Sequence, residues 1–394
     1  MVDQEGEALA AAGHEVIRFE RDSDGIGEWS RAKKASLPLR VIWNREAYGD
    51  LTATLRRQAP DVVHVHNTFP LLSAAVLHAC RDAAVPVVAT IHNRRLACAS
   101  GDFFRDGATC HECASGPPIP AVLHGCYRGS RVATVPVALT AIAHRRAWRS
   151  LVSAYVFVSK SIRASLAGLG LPPQRVFIRD PLIPSQPLVQ AARDPVVLYA
   201  GRLDEAKGAR VLMTSWDRYR DGAGDPGLRL IIAGGGVLQD EVTEWASARS
   251  SVDFLGQVSR ERCAGLMARA RAVVVPSLCE ESFGLTIAEA MSAGAPPIAA
   301  GHGAFPELIT PGVDGVLVAP GDPAALAAAI ADVEANPARY ESYGARAYVT
   351  YQQRFNPERN LSELLGIYRF AVAHPAQCGG RQLRAAAAGA TAGD

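Results

Sequence analysis

Short apolar runs recur along the chain, separated by segments whose apolar positions repeat every three or four residues. Runs at 14–19, 62–66, 85–91 and 154–159 are β-branched and almost continuously apolar, as strands covered on both faces must be. Helical spacing fills 50–58, 71–83 and 160–168 between them. Residues 179–195 carry Pro181, Pro184, Pro187 and Pro195, a density that predicts a linker. Beyond it the alternation restarts, with strands at 196–200, 228–233, 252–255, 272–275, 297–300 and 315–318. Helices are expected at 209–219, 238–246, 260–269, 285–293 and 324–334. Strand–helix alternation of this kind predicts an α/β protein of two doubly wound domains, 1–185 and 186–355. A helix at 356–373 is expected to pack back on the first domain, and 374–394, which are rich in Ala, Gly and Arg without periodicity, to be disordered.

Ligands of such sheets sit beyond the carboxyl ends of the strands, so the cleft between two doubly wound domains is the expected binding place. The first domain opens unusually, with helix-like MVDQEGEALAAAG running into the strand at 14–19 and no strand in front. Either this domain lacks its first strand or the chain begins downstream of its natural start.

Composition narrows the function classes. A length of 394 residues with 48% hydrophobic content supports two cores. The net charge of +2 gives no argument for nucleic acid. No apolar run reaches the roughly 18–20 residues needed to span a bilayer, and no basic-then-apolar leader is seen. The expectation is a soluble cytoplasmic protein that at most touches a membrane peripherally. The eight cysteines are then reduced thiols or metal ligands before they are disulfides.

The sharpest chemistry lies in 276–300, PSLCEESFGLTIAEAMSAGAPPIAA. From Ser282 through Gly301 the one charged residue is Glu289, and a carboxylate in so apolar a helix needs partners. A salt bridge to Lys or Arg, or a position facing water, would satisfy it. So would a ligand. The backbone amides of Gly284, Leu285 and Thr286 open a helix, a place suited to phosphate, and Glu289 lies one turn further in, where it can accept from a vicinal diol such as ribose. Glu281, in the preceding loop, falls on the sugar side. Arg202 and Lys207, in the turn AGRLDEAKG (200–208), suit a diphosphate. The Gly234–Gly236 run in IIAGGGV is a weaker sign, since a plain turn explains it nearly as well.

Glu281 and Glu289, eight apart and followed by G-x-P, resemble the E-x7-E signature of the family-4 retaining glycosyltransferases, which have the GT-B fold of two Rossmann-like domains. AGRLDEAKG, IIAGGGV and VDFLGQV (252–258) are similar to the family's other motifs in the right order, and the resemblance covers residues 9–373. It implies a nucleoside-diphosphate-sugar donor, UDP- or GDP-linked, held by Gly201, Gly234, Gly235, Gln257, Val258, Ser282, Phe283, Gly284, Leu285, Thr286 and Glu289. It implies catalytic roles for His92, Arg202, Lys207 and Glu281, with the two cations doing the work of a metal, so that no catalytic metal is expected. It further implies transfer on one face of the sugar, the leaving diphosphate itself helping to remove the acceptor proton. The acceptor would be a glycan, a lipid-linked sugar or a small molecule.

In the first domain, His92 ends the strand in ATIHN, and the resemblance places it near the donor sugar. His66 and Asn67, at the end of VVHVHN, are either acceptor-side or structural, whereas His64, further back, reads as structural. Cys98, Cys110, Cys113 and Cys126 follow C-x11-C-x2-C-x12-C, a count that fits a structural zinc, free thiols or two disulfides. A subset of the family carries a similar insert. HRRAWR (144–149) is either a solvated helix face or a contact for anionic lipid or a phosphorylated acceptor. Two rival functions stand beside transfer. One is an epimerase or phosphorylase of the same fold. The other is a donor-binding protein without activity, because the family's first strand leads to a Gly-rich loop over the donor phosphates that this sequence does not show.

Overall fold

The computed structural model describes residues 2–186, 188, 192–223 and 227–376, so the tail expected at 374–394 lies almost wholly outside the described residues. It forms two compact units, the first from 2–102, 111–179 and the segment from Leu361, the second from 103–110 and 180–360.

The first unit is built on a four-stranded parallel sheet of β1 (Val63–Val65), β2 (Val87–Ile91), β5 (Ala154–Phe157) and β6 (Val176–Ile178), in that spatial order. The short strands β3 (Phe104–Arg105) and β4 (Ala108–Thr109) make a separate hairpin. Every residue of β2 and β5 is buried, which is why those sequences read as continuous apolar runs. The helix Arg45–Gln58 starts at Asn44, whose side chain accepts from the backbone of Glu46 and Ala47 at 3.1 and 3.2 Å. From the closing helix Pro357–Ala373, Ile367 and Ala371 join Val88, Ala154 and Val156 in one apolar cluster.

One expected strand does not form. Residues 14–19 have no regular structure and are almost entirely exposed, Val16 and Ile17 included. Among the described residues they have no ladder partner, and a run with both faces in water gains nothing from extended pairing.

The second unit carries six parallel strands in the order β12-β11-β10-β7-β8-β9. These are β7 (Asp194–Ala200), β8 (Arg229–Ala233), β9 (Val252–Phe254), β10 (Ala270–Val275), β11 (Pro297–Ala300) and β12 (Val316–Val318). The core on one side centres on Trp216, which is fully buried among Val197, Leu230, Val274 and Ile330. From β7 the chain winds outward through β8 and β9, then returns to the other side with β10. The strand order therefore reverses between β7 and β10, the place in such sheets where the loops leaving the carboxyl ends of the strands carry a ligand site.

Candidate functional site

Both motifs singled out in the second half of the sequence leave the sheet at that reversal. β7 and β10 run side by side, Tyr199 opposite Val274. The turn 200–208 follows β7, and the loop ending at Gly284 follows β10. Backbone bonds lock the turn to its neighbour: Gly201 N donates to Ala233 O and Leu203 N to Gly235 O, each at 3.0 Å. The approach is so close that a Cβ on Gly234 would sit 1.8 Å from Gly201 O, and one on Gly236 would sit 2.4 Å from Leu203 O. Gly234 also has φ +147°. Gly234 and Gly236 are thus packing requirements of this turn, beyond the plain turn the sequence suggests. Gly208 (φ +74°) likewise lies where a Cβ would meet Pro276 O at 2.0 Å, which presses the turn against the loop after β10.

That proximity brings Lys207 to Glu281. Lys207 Nζ donates to Glu281 Oε1 at 2.5 Å, and Ser277 Oγ donates to the same oxygen at 2.8 Å. Burial pulls the Lys207 ammonium down, but attraction to the Glu281 carboxylate outweighs it, and the net effect is a raised pKa. Arg202 is freer: its largely exposed guanidinium meets Asp204 at 3.3 Å.

Beyond the loop, Gly284 (φ +104°) turns the chain into the helix Leu285–Ser292, and a Cβ there would strike the Phe305 ring at 2.8 Å. The N-cap residue, Gly284, has no side chain of its own to offer the first amides of this helix. Thr286 Oγ1 reaches Ala200 O at 3.5 Å, while the Phe283 ring is buried edge-on against Phe355, leaving only the backbone of Phe283 for a ligand. Ser282 is half-buried and Leu285 exposed. Gln257 and half-buried Val258 follow β9, and a Cβ built on Gly235 would lie 3.2 Å from Gln257 Cγ.

Glu289 sits on the second turn of that helix, half-buried. Among the described residues its carboxylate takes part in no hydrogen bond or ion pair. Burial raises its pKa, and Arg260 only partly offsets that.

The first unit holds a second constellation. β1 and β2 end together, and His66 Nδ1 lies 3.0 Å from His92 Nε2, the rings stacked. Behind them Glu5, almost fully buried, pairs with Arg179 at 2.6 Å and stands 3.5 Å from His66 Nε2. Burial brings both His66 and His92 down to about 4, so both are neutral at pH 7. His64 is tied on both ring nitrogens, to Tyr368 at 2.8 Å and Thr90 at 2.7 Å, and is structural. His66, His92 and Asn67 open onto a hollow formed wholly within this unit.

Sequence profiles agree with this geometry. The family described as "Glycosyl transferases group 1" matches residues 185–350, and "Glycosyltransferase Family 4" matches residues 1–108. The chain belongs to the family-4 glycosyltransferases of the GT-B fold. Among similar glycosyltransferases, a glycogen synthase of Mycobacterium tuberculosis is 31% identical over 368 residues, covering 84% of this chain and 80% of that protein. A D-inositol 3-phosphate glycosyltransferase of Mycobacterium avium is 33% identical over 191 residues, covering 45% of this chain and only 42% of that protein. Of solved structures, sucrose-phosphate synthase from Thermosynechococcus elongatus superposes with a TM-score of 0.67 at 22% identity, covering 94% of this chain and 92% of that one. The Anabaena protein HepE, crystallised with UDP and glucose, superposes with a TM-score of 0.58 at 20% identity, covering 80% of each chain.

Within this glycosyltransferase the cysteine group departs from the zinc expectation. Among the described residues, the one cluster of three or more metal-ligating side chains is Glu5, His64 and His66. Cys98 Sγ contacts Ser100 Oγ at 3.1 Å, and Cys113 and Cys126 belong to an apolar cluster with Ala121 and Val137. Cys110 lies on the hairpin grouped with the other unit. Among the described residues no group of these thiols is gathered to ligand distance, and none of the seven described cysteines is in a disulfide. The group of Glu5, His64 and His66 is no better as a metal site, because Arg179 already pairs with Glu5 and His64 has both nitrogens engaged. Sequence reading missed Glu5 and Arg179, whose pairing spans 174 residues.

Proposed function

We propose that this glycosyltransferase moves a sugar from a nucleoside-diphosphate sugar to an acceptor hydroxyl with retention of configuration. The observation that carries the reading is the half-buried Glu289 carboxylate, raised by burial and without a partner among the described residues, one turn into a helix that opens on Gly284. Two hydroxyls of a ribose would supply the bonds it lacks, and the amides of Gly284, Leu285 and Thr286 would meet the diphosphate. Gly201, Gly234, Gly235, Gln257 and Val258 line the route to the base. Glu281, held by Lys207 and Ser277, retains an oxygen for the sugar hydroxyls. Arg202 and Lys207 stabilise the charge that develops on the leaving diphosphate.

In the step proposed, the bond from the anomeric carbon to the diphosphate oxygen breaks. The acceptor oxygen bonds to that carbon on the same face, and its proton passes to the departing diphosphate. Imidazoles held at about 4, such as His66 and His92, are weaker bases than a phosphate oxygen with its second ionisation near 6, which supports this proton route. His92 then serves the sugar as a neutral hydrogen-bonding group. The acceptor is a glycan, lipid-linked sugar or small molecule held by the first unit. HepE was crystallised with UDP, so uridine is the donor base to test first. NMR of the product from an α-linked UDP-sugar provides the test: an α-linked product is expected, and a β-linked one contradicts retention. Tight UDP binding with no turnover on any acceptor would favour a donor-binding protein instead.

A further inference from the structure

The hollow in the first unit is lopsided in charge. Three guanidinium groups line it, those of Arg95, Arg145 and Arg149, and no Asp or Glu is among its lining residues. The two imidazoles in its wall, neutral at pH 7, add hydrogen bonding but no charge. Arg145 and Arg149 stand four apart on the helix Arg145–Ser150 and so share a face, where like charges repel. Neither is ion-paired to a carboxylate among the described residues. Arg145 donates to the Gly168 carbonyl, and the Arg149 guanidinium lies along the backbone at Gly170.

Arg95 comes from the loop after β2 and is fixed in place. It donates to Ala99 O at 2.7 Å and Ser100 O at 2.9 Å, and its guanidinium lies 4.3 Å above the Phe69 ring. Burial depresses its pKa, the sign of a cation held with too little counter-charge, although Asp102 offsets part of that. Three cations around one concavity, two of them mutually repelling, are at their lowest energy with a multivalent anion among them. Guanidinium forks match phosphate in both geometry and charge.

We propose that the acceptor carries a phosphate group and that Arg145, Arg149 and Arg95 bind it, with His66 and His92, which line the same hollow, beside the hydroxyl to be glycosylated. This rests on the reading of the first unit as the acceptor side. The phosphate could belong to a soluble sugar phosphate or to a lipid headgroup.

The test is calorimetry on the full chain with UDP present in excess, which keeps phosphate out of any donor site. Inorganic phosphate and glucose 6-phosphate are titrated beside glucose and glucuronate. Saturable phosphate and glucose 6-phosphate binding is expected, weakened about tenfold or more by R145Q or R149Q, with melting temperature and UDP affinity held. No saturable phosphate binding, equal binding by glucuronate, or affinity unaltered in both variants overturns the proposal. Failure of UDP itself to bind would sink the donor assignment but leave the phosphate comparison readable through R145Q and R149Q. Sedimentation with phosphatidylglycerol vesicles, lost in R145Q/R149Q, assigns the phosphate to a lipid; binding in solution without sedimentation assigns it to a soluble acceptor.

Discussion

Lys207 and Glu281 lie 74 residues apart in the chain yet share an ion pair of 2.5 Å where the strand order of the second unit reverses. The pair ties the turn after β7 to the loop after β10, and each partner carries a charge that a diphosphate sugar would use. Replacing Lys207 by Ala should therefore lower kcat by about 10²–10³-fold, as loss of one preorganised donor to a developing oxyanion does, with a much smaller change in donor Kd. Steady-state kinetics beside donor titration checks this split. A variant whose kcat is near that of the parent would remove Lys207 from the reaction.

Gly234 tests the packing of the same turn. A methyl group there meets the Gly201 carbonyl, and φ +147° is strained for any L side chain. Gly234→Ala should cost about 3 kcal/mol, read as a lowered urea midpoint. Gly49, inside the helix Arg45–Gln58 with nothing within 4 Å of its added Cβ, is the contrast. Gly49→Ala should stabilise by about 0.5–1 kcal/mol.

Burial sets a pH dependence through His66 and His92. Their folded pKa values of about 4 lie below the unfolded value of 6.5, so below pH 6.5 the unfolded chain binds protons that the folded chain refuses. Stability should be level above pH 6.5 and fall as pH drops from 6.5 toward 4. Each histidine contributes a limiting slope of about 1.4 kcal/mol per pH unit. Chemical denaturation across that window checks it, and His66→Gln together with His92→Gln should reduce the slope, leaving the share of His64, which burial also holds well below 6.5.

Glu5 and Arg179 form an almost fully buried pair. Glu5→Ala leaves the Arg179 cation without its carboxylate and should destabilise by about 3–5 kcal/mol. Differential scanning calorimetry gives the readout. A loss under 1 kcal/mol would mean that Arg179 is compensated elsewhere.

The fold was legible because a parallel strand covered on both faces must be largely apolar, as β5 is and as β2 and β10 are apart from Thr90 and Arg271. The same rule misled at 14–19, where the apolar run lacks a ladder partner, a fact of tertiary structure that composition does not carry. Glu289 stood out because isolation among apolar residues is visible in one dimension. The Lys207–Glu281 and Glu5–Arg179 pairs were not, since each joins charges far apart in sequence, and an ordinary charged residue gives no sign of its partner. The cysteine spacing suggested a metal because count and order were visible, whereas the placement of Cys113 and Cys126 in an apolar cluster was not. The arginines of HRRAWR were noticed as a group, but only folding shows that two of them share a hollow with Arg95.

Among the described residues Glu289 has no partner, and under the proposed function a donor ribose supplies one. Burial already raises its pKa, so Glu289→Gln should leave the unliganded protein as stable as before or slightly more so, while removing a ligand contact. Calorimetric titration of UDP and a UDP-sugar into the parent and into Glu289→Gln is the most direct measurement. UDP binding should weaken about tenfold to a hundredfold in the variant, with its melting temperature unchanged or raised. Equal affinity in the two proteins would contradict it.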